Sequence, residues 1–242
     1  MEQLAFTQFL NHYFGGVVLQ VLTRLGIHPK HPAAPIPNAA AMEVLVVLLL
    51  TAFFIAVRSR LSVDNPGALQ HVMEGIEGFA SGLGKEIIGH HYERYIPYLV
   101  TLGLFILTCN LIGLIPGQES PTGVPVVPLG CALVTWFYYH VQGLRENGLA
   151  YLKHFIGPVW WLAPLMFPIE VFSHLARILS LTIRLFANMF AGEMVYLVFF
   201  SLIPLGIPII FQGLHVGVAF IQTYIFVLLA AVYLGEATAH EH

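Results

Sequence analysis

The stretch "LARILSLTIRLFANMFAGE", residues 175–193, decides the fold, because it sets two arginines inside a run that otherwise reads as lipid-facing or core helix. On a helix turning about 100° per residue, with Glu170 as origin, His174 falls at about +40°, Arg177 at about −20°, Arg184 at about −40° and Asn188 at about 0°. These polar groups share one face. Ser173, Ser180, Ala187 and Ala191 lie beside them, between about −60° and −100°, as a strip of small residues that lets another helix approach closely within a membrane. Arg184 is the last Lys or Arg in the chain. An arginine at bilayer depth costs about 2.5 to 3.5 kcal/mol even on the gentler insertion scales, and its high pKa forbids escape by deprotonation. It needs a carboxylate partner or a path of water. Glu193 is the only charged residue between Arg184 and Glu236, but at about +140° it points away from the stripe. The expected counter-ion of Arg184 therefore belongs to another subunit. For Arg177, nearer a helix end, snorkelling to headgroups is an equally good reading.

Working outward, the apolar signal is nearly continuous from Trp160 to Leu234, broken around "PLGIP" at 204–208. It predicts a helix of roughly 58 Å over 164–202 and one of roughly 42 Å over 208–235. Both exceed a perpendicular span of about 30 Å, so the expectation is a long, strongly tilted helical hairpin. Upstream, three further spans are read: "AAMEVLVVLLLTAFFIAVRSR", entered near Ala39, "YIPYLVTLGLFILTCNLIGLIP" from Tyr95, and "VPVVPLGCALVTWFYYHVQ" from Val124. Residues 4–27 mix apolar side chains with Gln8, Asn11, His12 and Gln20, the pattern of an amphipathic interfacial segment, and a proline-rich linker, "HPKHPAAPIPN", follows it. Between the first two spans, "IEGFASGLGKEIIG" reads as a surface helix.

The fold class is thus an all-α membrane protein with about five transmembrane helices. The whole chain, 1–242, reads as a single membrane domain: an interfacial segment and linker at 1–38, three spans with loops at 39–142, and the long hairpin at 143–242. Composition agrees, with 57% apolar and 10% charged residues and a mean hydropathy of +0.79. A net charge of −3 leaves no basic stripe for nucleic acid. The loop at 58–94 carries four Lys or Arg, that at 117–123 none and that at 143–158 two. By the excess of basic residues inside, the first and third of these loops are cytoplasmic and the N-terminus is outside. Residues 1–15 lack the basic region and compact apolar core of a signal peptide, so they are expected to stay in the mature chain.

Cys109 and Cys131 sit in separate apolar runs with no metal-binding spacing and read as buried hydrophobes. His90, His91, His240 and His242 read as solvated loop and tail residues, and no metal or cofactor is expected. No phosphate-binding glycine loop, nucleophile motif or HExxH is present.

On the last helix His215, Gln222 and Tyr233 fall within about 20° of one line. Interhelical hydrogen bonding explains such a line as a matter of course. If it meets the Glu193 side of the preceding helix, Glu193 and His215 form a pair that can exchange a proton.

These residues, in this order, resemble subunit a of the F-type ATP synthases. The likeness rests on "NLIGLIPG", "PIEVFSHLARILSLTIRLFANMFAGE", "FIQTYIFVLLAAVYL" and the "EH" terminus, and covers nearly the whole chain. The resemblance implies that Arg184 is the essential arginine, which attracts the deprotonated carboxylate of each passing c subunit and separates two aqueous half-channels. It implies that Glu193, His215, Gln222, Asn188 and Asn110 serve the outer half-channel, and Glu170, Ser173, Arg177 and Ser180 the cytoplasmic one. It further implies a bacterial plasma or inner membrane location with a cytoplasmic C-terminus, partnership with the c ring, b-type peripheral stalk subunits and the rest of the complex, and no catalysis by this chain alone. Ala187 stands where the family commonly has glycine. Two other classes compete. A secondary transporter would carry its own carboxylate opposite Arg184, and a structural scaffold would tolerate a neutral residue there.

Overall fold

A computed structural model describes residues 3–29, 31–62, 66–115, 117–148, 151, 163–203 and 206–239. Trp160, Pro204, His240 and His242 lie outside the described residues. Among the described residues the chain is all-helical, with seven α-helices and two 3-10 turns.

Helix α1 spans Ala5–Arg24 and α2 Asn38–Ser59. The proline-rich stretch between them cannot join either helix, since proline lacks the donor that a helix interior needs. It is latched instead by Asn11, whose Nδ2 donates to the Ile36 carbonyl and whose Oδ1 accepts from the Ile36 amide, both at 3.0 Å. Phe9, Tyr13, Phe14, Val17 and Val21 remain exposed on α1, the apolar surface that an interfacial segment would turn to lipid. Helix α3, Ala68–Ile87, begins some residues before the stretch the sequence singled out. Its added first turns, "ALQHVMEG", are too polar and exposed to show in a hydropathy reading.

Helix α4 runs Ile96–Ile112, with Pro97 in its first turn, where a missing N–H costs nothing. Helix α5 covers Val126–Asn147. A 3-10 turn at Tyr92–Arg94 leads into α4, and another at Pro121–Gly123 precedes α5.

The two long helices follow as α6, Ala163–Leu202, and α7, Ile207–Thr238. Gly206 begins the return with φ 86°, a conformation in which a Cβ would clash with its own backbone, and Pro208 occupies the first turn of α7. The helices run antiparallel. Phe199 stacks on Phe211 at 4.3 Å, Asn188 bonds Gln222, and Arg177 pairs with Glu236. At 1.5 Å per residue the forty residues of α6 extend about 60 Å.

Asn38–Ser59, Pro164–Leu202 and Ile207–Thr238 are long and apolar enough to cross a membrane, and Ile96–Ile112 is a shorter apolar helix. The core gathers Leu99, Leu102 and Ile106 of α4, Ala132 and Tyr139 of α5, Leu181, Leu185 and Met189 of α6, and Ala219, Phe226, Ala230 and Leu234 of α7. Met42 and Val46 join α2 to Cys109 and Ile112 of α4 in a second cluster. Both cysteines are buried and free.

Candidate functional site

The packed side of α6 carries His174, Leu181, Leu185 and Met189, all buried, while Phe172, Leu179, Ile183 and Phe190 stand exposed on the other. The polar stripe lies along the border between the two. Arg184 is half-buried there, and Ser180, Ala187, Asn188 and Ala191 beside it are exposed. Among the described residues the one hydrogen bond of the Arg184 side chain goes from Nη2 to Ser180 Oγ, at 3.2 Å. No carboxylate among them lies within 4.0 Å of its guanidinium. The intramolecular counter-ion that a secondary transporter requires is thus missing from the described residues.

About 6 Å along the axis on the turn side of Arg184, one polar group begins. Asn188 Nδ2 donates to Gln222 Oε1 at 2.6 Å, and Gln222 is only 2% exposed. The His215 ring lies against the bare Cα of Gly192, so close that a Cβ there would meet its Nε2 at 2.6 Å. The predicted His215 and Gln222 line therefore does face α6, as Tyr233 does farther down. Glu193 is not joined to it. Its carboxylate turns toward the 3-10 turn, where Oε2 would stand 3.3 Å from a Cβ on Gly123, and no ion pair or hydrogen bond among the described residues links Glu193 to His215.

Asn110 reaches the same helix from α4. Buried to 1% exposure, it accepts from Thr122 Oγ1 at 2.7 Å and donates to the Ala219 carbonyl at 3.5 Å and to Thr223 Oγ1 at 3.4 Å. Ser120 Oγ extends the network to Thr122 Oγ1 at 2.8 Å and to the Cys109 carbonyl at 3.2 Å. Nearby, Glu119 Oε1 accepts from Asn38 Nδ2 at 3.0 Å. Ser120, Thr122 and Thr223 were not singled out by sequence. Ser120 and Thr122 belong to a turn of small hydroxyls with no periodicity, and Thr223 on α7 is buried by contacts made across the chain.

On the opposite side of Arg184, about 10 Å along the axis, lies a second polar group. Arg177 Nη1 meets Glu236 Oε2 at 2.6 Å and its guanidinium sits 4.8 Å from the centroid of the Tyr233 ring. His174 Nε2 lies 3.4 Å from Glu170 Oε1 and its Nδ1 is 2.8 Å from Tyr139 Oη of α5. Ser173 is half-buried on the same stretch of α6. Arg177 thus forms an ion pair with α7.

The arrangement is a lone guanidinium on an exposed edge, with hydrogen-bonding and titratable groups on either side of it along one helical hairpin. Among the described residues no cluster of three or more His, Cys, Asp or Glu is placed to hold a metal.

The ATP synthase A chain family matches residues 40–235. The chain is 65% identical to an ATP synthase subunit a from Koribacter versatilis over 242 residues, covering 100% of this chain and 99% of the relative. It is 49% identical to one from Solibacter usitatus, covering 96% and 99%, and 47% identical to one from Syntrophotalea carbinolica, covering 96% and 95%. With its family match running through both long helices and its relatives aligned nearly end to end, this chain belongs to the ATP synthase subunit a family.

Proposed function

We propose that this chain is the membrane stator subunit that passes protons through two aqueous half-channels to and from the carboxylates of a rotating c ring, coupling ion flow to rotation and ATP synthesis. The observation that carries the reading is Arg184, a permanent charge with no acid of its own among the described residues, bordered by an exposed strip of small residues and flanked along the hairpin by two polar groups. The missing acid comes from the ring, which docks on that strip.

Protons arrive from outside by way of Glu193, His215, Gln222, Asn188 and Asn110 and neutralise a ring carboxylate. The neutral acid can then rotate into lipid, which an ionised one could enter only at a cost of several kcal/mol. After nearly a full turn it loses its proton to the cytoplasmic group, Glu170, Ser173, Arg177 and Ser180, and is drawn to Arg184. The fixed charge of Arg184 prevents a proton from passing straight between the two paths. Each charge that crosses releases about 2.3 kcal/mol per 100 mV of membrane potential. The hairpin crosses the bilayer steeply inclined, since a helix of about 60 Å exceeds a hydrocarbon core of about 30 Å. The loops at 58–94 and 143–158 face the cytoplasm, the N-terminus faces outward, and b-type stalk subunits hold the single membrane domain against the torque of the ring.

Arg184→Ala in membrane vesicles carrying the assembled complex tests this reading. Coupled ATP synthesis is lost while passive proton leak persists. Normal coupling in that variant rejects the role.

A further inference from the structure

We infer that His174 and Tyr139 form, with Glu170, a relay that carries each proton over the last step to the cytoplasm. The inference rests on the reading above and extends the cytoplasmic path to two residues that the family resemblance does not supply.

The geometry is that of a relay. His174 is 8% exposed and both its ring nitrogens are engaged, Nδ1 with Tyr139 Oη at 2.8 Å and Nε2 with Glu170 Oε1 at 3.4 Å. Tyr139 is 2% exposed, whereas the Glu170 side chain keeps 26% of its surface open. The line therefore runs from a buried hydroxyl, through a buried imidazole, to a carboxylate at the surface of the chain. Beside Tyr139 a cavity of about 10 Å³ is lined by Thr135, Trp136, Arg177 and Tyr233. Trp136 Nε1 is buried without an acceptor among the described residues. The inner end of the line thus lies beside Arg177 and Tyr233.

A tyrosine hydroxyl donates to a neutral imidazole nitrogen and accepts from a protonated one, so it serves both states of the ring. In the transfer, Tyr139 Oη gives its proton to His174 Nδ1 as His174 Nε2 gives its own to Glu170. Tyr139 regains a proton from the cavity side, and Glu170 releases one to the cytoplasm. One proton moves to the cytoplasm and the imidazole stays neutral, left as its Nδ1–H tautomer, and exchange of that ring proton restores Nε2–H before the next transfer. Among the described residues the charged and titratable groups around His174 are Glu170 and Arg177 on α6, Tyr139 and His140 on α5, Tyr151, and Tyr233 and Glu236 on α7. His140 lies ring to ring at 4.7 Å and Arg177 one turn away.

The test is ATP-driven proton pumping in vesicles carrying the whole complex, with the pH on the cytoplasmic side varied. Tyr139→Phe keeps the ring and its packing and removes one hydroxyl. It slows pumping per assembled complex about fivefold, the value of one neutral hydrogen bond, and changes the dependence on cytoplasmic pH. His174→Gln produces the same change, and the double variant is no slower than the worse single one. A Tyr139→Phe complex with the original rate and pH profile overturns the relay, as does one that merely assembles in lower yield and pumps normally per complex. Arg184→Ala measured alongside separates the two ideas, because its loss of coupling stands whether or not the relay exists.

Discussion

Arg177 of α6 is held by two residues of α7, its Nη1 at 2.6 Å from Glu236 Oε2 and its guanidinium 4.8 Å from the centroid of the Tyr233 ring. The contact closes the hairpin at the end remote from its turn. Because the two side chains retain 23% and 50% of their surface, water screens the ion pair and the stacking matters as much as the charge.

Glu236→Gln is therefore expected to cost only about 0.2 to 1 kcal/mol, and less in high salt. Arg177→Lys should cost more than this, because an ammonium loses the planar stacking. Thermal dissociation of the purified complex at low and high salt measures both.

Where His215 rests on Gly192, a methyl group would stand 2.6 to 2.8 Å from three ring atoms. Gly192→Ala should displace the buried ring and cost about 1 to 3 kcal/mol. His215→Ala in the same chain restores room. Thermal stability then recovers in the double variant, while proton flux stays low.

Thr122→Val replaces the hydroxyl that donates to Asn110 Oδ1 and leaves a buried amide oxygen without that donor. The expected loss is about 1 to 3 kcal/mol. Thr122→Ser keeps the hydroxyl and should lie near the parent in denaturation of the solubilised chain.

Gln222→Leu removes the acceptor of Asn188 Nδ2 and breaks the polar line between α6 and α7. Both groups belong to the outer path in the proposed function, so ATP-driven pumping should fall several-fold with assembly retained. Gln222→Asn, one carbon shorter, should fall between the two. Equal pumping by all three would reduce the pair to packing.

Much of this was legible in the sequence. Apolar runs with clear stops predict α2, α4 and α5, and the length of the last two runs predicts α6 and α7. The angular positions of His174, Arg177, Arg184 and Asn188 predict one stripe, and the structure shows it as a border between packed and exposed faces. Other features depend on where distant segments meet. Arg177 and Glu236 pair only because the turn fixes the register of α6 on α7. Glu193 sits off the stripe, as its angle predicts, but the sequence gives no sign that its carboxylate turns to Gly123, since that turn is fixed by burial of Pro121 and Thr122. Tyr139 carries no signal of its own in the apolar span of α5, and only the packing of α5 on α6 brings it to His174.

The most direct test asks what covers the strip beside Arg184. Ala187→Cys puts a thiol on the exposed face of α6, and labelling there is selective because Cys109 and Cys131 are buried. A photoreactive maleimide attached at position 187 and illuminated in native membranes should join this chain to a small hairpin subunit of the ring and stop ATP-driven pumping. Adducts with lipid alone, in membranes that keep full coupled pumping after illumination, would contradict the account.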